Sequence, residues 1–331
     1  MMRWLLSFAA AAAVFPAFAQ TRLPTPGFHH LQLNSVDPDA AIDFYVRNFP
    51  STSRGQWGGM SVLKSPNNVM VLFNKVASPP AIAPQSAIWH FGWHVTDLRA
   101  TRQKFRGITN MSLLPLYTGD GSGAVDISAD TWPGKGSVLG LTAEQIAAAK
   151  AAGEKRGGGP NGFGYLRGPD NVIIEYQGVQ PQERFNHVHM YQDQVFCAQV
   201  WYQQHLNAPQ MPGRGGDKPL DEVTCKTARG PDRTWPALEP EGMFRTPTAA
   251  VLFGDVALTW YANPGDKPLA GTRGQLYDHI GLSVGDLDAW VAKLRAEKVT
   301  FLEDGIYKRG DTRAIMIEGP SREAIELVEV K

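Results

Sequence analysis

Apolar and polar residues alternate in FNHVHMY, from Phe185 to Tyr191, as they do in a half-buried strand whose every second side chain faces the same way. That alternation puts His187 and His189 on one face. Three other stretches open alike: HLQLNSVDPDAAIDFYVRNF from His30, HFGWHVTDLRATRQKFRG from His90 and HIGLSVGDLDAWVAKLRAEKV from His279. In each, a histidine on a short strand is followed by a polar turn. Asp37, Asp97 and Asp286 in those turns are suited to cap the helix that comes next, which carries apolar residues at helical spacing. In the copy from His187, Trp201 and Tyr202 stand where Phe44 and Tyr45 stand in the first, and both pairs are expected to pack the helix onto its sheet. Short β-rich runs follow every helix, the last reading VMVL (69–72), VIIE (172–175), VALT (256–259) and EAIE (323–326). The turn Gly168-Pro169-Asp170 precedes Glu175 as Gly319-Pro320-Ser321 precedes Glu326.

The repeated unit is strand, helix and three strands, so the chain reads as an α+β protein of four βαβββ modules. Taken in order they make two pairs, 20–180 and 181–331, with a linker at GVQPQER, Gly178 to Arg184. An insertion at about 114–160 interrupts the second module. Within it Thr142 can cap a helix that has Glu144 and Gln145 in its first turn, and the glycines after Arg156 end that helix. RGGGPNGFG follows a helix instead of opening one, which excludes a phosphate-binding loop. The insertion is expected either to cover the first half's site or to be a surface excursion.

The N-terminus adds a compartment. MMRWLLSFAAAAAVFPAFAQ has a basic Arg3, an apolar run and a small-residue end at Ala17-Phe18-Ala19, the pattern of a cleaved export signal over 1–19. The apolar stretch falls short of the roughly 20 residues that span a bilayer. An exported protein of the bacterial periplasm is expected, with no membrane partner after cleavage. Thirty-two acidic and 32 basic residues give a formal net charge of zero with no Lys/Arg-rich run, which argues against nucleic acid. Cys197 and Cys225, the only cysteines, can form one disulfide in such a compartment but not a thiolate metal cluster. Cys197 has no activating base nearby in any motif and is expected to be a small buried hydrophobe, not a nucleophile.

The repeat, the opening histidine and the closing GPD…IE turn and strand resemble the vicinal oxygen chelate superfamily of glyoxalases, bleomycin-resistance proteins and extradiol ring-cleaving dioxygenases, over nearly the whole mature chain. The resemblance implies that modules pair into open, barrel-like sheets whose concave face holds a divalent metal. Its ligands would come from the first strand of each module and the last strand of one or both. Carried onto this chain, it gives His30, His90 and Glu175 in the first half and His187, His279 and Glu326 in the second. Two histidines and a carboxylate suit Fe(II) or Mn(II), and Zn(II) as well, and leave positions open for substrate and for oxygen or water. The further carboxylate of the family's glyoxalases is replaced by Leu72 and Thr259, which turns the resemblance toward the dioxygenases.

FGYLRGPDNVIIEYQG, Phe163 to Gly178, is similar to the closing motif of the extradiol dioxygenases and implies a substrate-orienting role for Tyr165; Met316 takes that place in the second half. The family's additional acid–base histidine has no match in the middle strands. His189 aligns with Gln32, Gly92 and Gly281, so it is not a repeated ligand, but it faces the same concavity and can carry a proton or be a solvated histidine. His94 lies farther along the face of His90, and His29 is expected to point away. The leading expectation is a dioxygenase acting on a catechol-like aromatic. A glyoxalase-like lyase, isomerase or hydrolase is the main alternative, and a protein that binds a small molecule without turnover is the third. A small-molecule substrate is common to the enzyme readings, and self-association is left open.

Overall fold

The structure, a computed structural model, describes residues 22–117, 124–125, 142–153, 162–178, 180–214, 219–228, 232–234, 243–263, 265 and 267–331. The expected export signal and most of the 114–160 insertion lie outside the described residues. The first module comprises β1 (Gly27–Ser35), α1 (Pro38–Asn48), β2 (Ser53–Trp57), β3 (Met60–Lys64) and β4 (Met70–Lys75). The second has β5 (Ile88–Val95), α2 (Leu98–Arg106), β6 (Ser112–Leu114), then β7 (Leu116–Tyr117), β8 (Ala124–Val125) and α3 (Ala143–Ala151) within the insertion, then β9 (Gly162–Arg167) and β10 (Ile173–Gly178). The third has β11 (Arg184–Gln192), α4 (Val195–Leu206), β12 (Asp232–Thr234), β13 (Met243–Phe253) and β14 (Val256–Ala262). The fourth has β15 (Tyr277–Val284), α5 (Leu287–Ala296), β16 (Tyr307–Arg309), β17 (Thr312–Glu318) and β18 (Ala324–Glu329).

Local chemistry sets the helix ends. Asp37, Asp97 and Asp286 each accept the backbone N–H three residues on, at 3.1, 3.0 and 2.9 Å, satisfying an orphan donor in a way typically worth about 1 kcal/mol. Thr142 and Gln145 exchange side-chain bonds to each other's backbone N–H in a capping box that opens α3. No side-chain cap closes the N-terminus of α4. That helix is tied down instead by a disulfide between Cys197, in its first turn, and Cys225, 28 residues on. Closing such a loop stabilises the fold by about 3 kcal/mol. The one disulfide that the two cysteines allow is thus formed, and Cys197 is neither a nucleophile nor a free buried thiol.

Sheet pairing departs from the sequential order of modules. One eight-stranded mixed sheet runs β16-β17-β18-β15-β1-β4-β3-β2 and joins the first module to the fourth; the other runs β12-β13-β14-β11-β5-β10-β9-β6 and joins the second to the third. The expected division at 180 therefore cuts through one sheet, where β10 and β11 flank β5. Connection length explains the outcome. Only 179–183 separate β10 from β11, whereas 76–87 and 263–276 carry the chain between sheets, and elements joined by short connections tend to be neighbours. The two long connectors run side by side, with Leu276 N–H donating to Ala81 and Ala270 N–H to Gln85, both at 2.9 Å.

The core lies between the sheets. Phe91 and Trp93 alternate with His90, Gly92 and His94 along β5, and their rings meet Tyr45 of α1 and Phe49 at its C-cap, with the Tyr45–Trp93 and Phe49–Trp93 centroids 5.6 and 5.1 Å apart. Tyr45 also packs on Phe73 of its own β4, so the helix is held by both sheets. Phe28 of β1 stacks on Phe185 of β11 across the same interior. The opposite, histidine-bearing faces of the strands are left to the candidate sites.

Tyr202 of α4 donates to Glu323 at 2.6 Å, and the Ser321 N–H donates to the same carboxyl at 2.7 Å. Glu323 is fully buried, and burial pushes its carboxyl from 4.5 up to about 7 against those two hydrogen bonds. A pKa raised in the folded state contributes stability that is complete below the unfolded value and is lost as pH climbs through the folded one. Thermal unfolding should therefore show a component on the order of 3 kcal/mol that disappears between about pH 4.5 and 7. Glu323→Gln is expected to flatten that component, measured as unfolding free energy across this pH range; an unchanged slope would assign it to other groups.

Candidate metal centres

Strand register assembles two clusters. His187 stands opposite Gly92 and His189 opposite His90 where β11 meets β5, and Gly92 in turn pairs with Glu175 of β10. In the other sheet His30 stands opposite Gly281, Gln32 opposite His279, and Gly281 beside Glu326. In both, a glycine occupies the middle strand between histidine and carboxylate. A Cβ at Gly92 would fall 2.1 Å from the His187 ring, and one at Gly281 2.0 Å from the His30 ring, so the imidazoles lie across backbone that carries no side chain. The resulting groups are His90, Glu175, His187 and His189, and His30, His279 and Glu326. This corrects the expected sets: the third module supplies His187 to the second module's Glu175, and the first supplies His30 to the fourth module's Glu326.

In the first cluster, one oxygen of Glu175, Oε2, is the hub. His90 Nε2 lies 3.0 Å from it, His187 Nε2 3.3 Å and His189 Nδ1 3.6 Å, and the Tyr165 hydroxyl donates to it at 2.9 Å. His189 Nδ1 is also 2.8 Å from His90 Nε2. Burial alone would raise the Glu175 carboxyl, but the nearby His187 and the hydrogen bond from His90 outweigh it and hold the group well below the usual carboxylate range. Burial lowers His90 to about 4 and pushes His189 well down, leaving both rings neutral near pH 7.

The second cluster has the same skeleton and different surroundings. His30 Nε2 lies 3.2 Å from Glu326 Oε2 and from His279 Nε2, and His279 Nε2 lies 3.7 Å from that oxygen. Asp278 Oδ1, 2.6 Å from His279 Nδ1, fixes that ring. Tyr307 donates to Glu326 Oε1 at 2.6 Å, and Arg309 Nη1 donates to both oxygens at 3.0 Å. His29 does not point away: the ladder slips between Phe28 and His30, and His29 Nδ1 comes within 2.7 Å of His30 Nδ1.

No protein-family profile and no curated protein matches the sequence. Solved structures do. Glyoxalase I from Zea mays superposes with a TM-score of 0.54 at 12% identity over 92% of each chain, and a single-substitution variant of it with 0.58 at 13%, again over 92% of each. A provisionally named dioxygenase from Bacillus subtilis gives 0.54 at 10% identity, covering 93% of this chain and 86% of its own. The chain has the vicinal oxygen chelate fold.

On this fold the first cluster fits a divalent ion. Glu175 Oε2 stands 3.0 to 3.6 Å from the three imidazole nitrogens, His189 Nδ1 stands 2.8 Å from His90 Nε2, and the ligand atoms of the four residues all lie within 4.8 Å of one another. Ligands about 2.0–2.2 Å from one ion at tetrahedral to octahedral angles stand roughly 3 to 3.5 Å apart. His187 Nε2 is buried and, despite its 3.3 Å approach to Glu175, makes no hydrogen bond of acceptable geometry. Such an orphan costs about 1–3 kcal/mol unless something pairs with it. Neutral imidazoles and an ionised carboxylate are the forms that bind metal. The sites missed in the sequence are Tyr307 and Arg309, whose short strand β16 carries no motif. His189 joins the first cluster directly, and His94 stays outside both groups. Met316 does pair with Glu326 as Tyr165 pairs with Glu175, but Tyr307 reaches that carboxylate from the next strand.

Proposed function

We propose that the chain is a divalent-metal enzyme whose working centre is His90, Glu175 and His187, with an extradiol-type dioxygenase acting on a catechol-like aromatic as the reading the geometry supports best. The observation that carries it is Tyr165, whose buried hydroxyl sits on the same Glu175 oxygen as the histidines. Bound there, Fe(II) or Mn(II) would supply a Lewis acid for two vicinal substrate oxygens and one-electron chemistry toward O₂. Tyr165 can turn its hydrogen bond from Glu175 to a substrate oxygen and so orient the ring. Neutral His189 can accept a proton from a catechol hydroxyl and return it later, the task for which no middle-strand histidine exists. Phe163 and Tyr261, 5.9 Å from the Tyr165 ring and 5.1 Å from the His189 ring, supply aromatic surface beside the centre.

A glyoxalase-like lyase, isomerase or hydrolase, with Zn(II) as an alternative metal, is the second reading. It is favoured by the place of His189, close enough to act as a fourth ligand and so leave fewer open positions. Export to an oxidising compartment belongs to the proposal too, supported by the disulfide. The test is anaerobic loading with Fe(II), Mn(II) or Zn(II), then a catechol panel with and without O₂. Oxygen uptake with ring-cleavage absorbance is expected. Tyr165→Phe should keep the metal and slow turnover by about 100-fold. Turnover that ignores O₂ would select the second reading, and absence of bound metal would remove both.

A further inference from the structure

The two clusters share their histidine, glycine and carboxylate positions but differ in what faces the carboxylate. In the first, among the described residues, no hydrogen bond to Glu175 comes from a guanidinium or an ammonium group. In the second, Arg309 Nη1 lies 3.0 Å from each oxygen of Glu326 and 3.5 Å from His279 Nε2, so it stands amid the atoms that would ligate an ion. We propose that Arg309 is the resident cation of the second cluster, which makes His30, His279 and Glu326 a metal-free twin of the first centre.

Four observations hold the guanidinium there. Its Nη2 donates to Gln32 Oε1, and Gln32 faces His279 as His189 faces His90. A ring nitrogen in the first cluster is thus replaced in the second by an amide oxygen that accepts from arginine. The guanidinium carbon lies 5.0 Å from the centroid of Trp57, a cation–π contact from the far end of the same sheet. Those two ends meet at their hairpin tips. Gly310 and Gly58, both at positive φ, approach so closely that a Cβ on Gly310 would come within 2.9 Å of Gly58 Cα, which fixes the end of β16 over the cluster. The Arg309 side chain is 17% exposed and its partner carboxylate not at all, so the pair is matched in charge and poorly screened.

A divalent ion among His30, His279 and Glu326 would lie beside that positive charge and compete for both carboxylate oxygens. Access is not what excludes it, because a cavity of about 540 Å³ reaches Gln32, His279, Arg309 and Glu326. The arrangement therefore separates a metal centre from a structural ion pair built on one skeleton.

The test counts metal in full-length protein. Mn(II) or Zn(II) is titrated into metal-stripped chain by calorimetry, and the retained ion is measured by elemental analysis after gel filtration. Wild type is expected to hold one equivalent and Arg309→Met two. A variant that gains no equivalent overturns the proposal, as does wild type holding two. Should the first centre fail to bind, wild type would hold none and Arg309→Met one, which separates that failure from failure of this inference. If Arg309→Met does not fold, Glu326→Gln with Arg309 in place decides: an unchanged metal count supports the proposal and a lost equivalent overturns it.

Discussion

Gly92→Ala should empty the first centre of metal while the chain stays folded. The added Cβ would lie 2.1 Å from His187 Cε1 and 2.4 Å from Nε2, far inside contact distance, and the ring is buried. Backbone conformation is not the obstacle, since Gly92 lies within β5 and is not among the residues at positive φ. The expected cost is that of overpacking, about 1–3 kcal/mol, together with displacement of His187 from the Glu175 oxygen. Elemental analysis beside a thermal melt separates the two effects. Gly281→Ala makes the same intrusion on His30, 2.0 Å from Cε1, and is expected to lose similar stability with the metal count unchanged. Full metal retention in Gly92→Ala would mean that His187 is not a ligand.

Glu175→Ala and His90→Ala should abolish both metal binding and turnover, whereas Glu326→Ala and His279→Ala should act on stability. Glu175 Oε2 is the atom on which three imidazoles and Tyr165 converge, so removing it leaves several groups without a common partner. Removing Glu326 instead strands Arg309 without the carboxylate that both of its Nη1 contacts reach. Loss of one partner of a largely desolvated ion pair costs about 3 kcal/mol. The comparison is read from kcat, metal content and unfolding midpoint in all four variants. Activity lost only in the Glu326 and His279 variants would move the working centre to the other sheet.

The ligand residues were legible because the repeat is local. A histidine opening each module and a glutamate closing two of them can be counted in the sequence, and strand alternation says that they face one side. The missed residues have no such signature. Tyr307 and Arg309 lie on a three-residue strand, and only the curl that brings Gly310 against Gly58 turns them onto Glu326. The orientation of His29 departs from simple alternation because a ladder slip between Phe28 and His30 interrupts it.

The amino-acid sequence by itself determined the unit: alternation, aspartate caps and helical spacing act over a few residues, so strand, helix and three strands follow four times from short-range chemistry. It also carries a signal for pairing, the five-residue connection at 179–183 between β10 and β11 against the longer 76–87 and 263–276. Which opening strands lie together was decided by tertiary structure. All four carry a histidine and an apolar core face, so their local patterns accept several partners. The choice is made by the two crossovers that pair with each other and by the aromatic core that Phe28, Tyr45, Trp93 and Phe185 share between the sheets. That choice sets the chemistry, because it gives His187 to Glu175 and His30 to Glu326, and places a guanidinium at only one of the two carboxylates among the described residues.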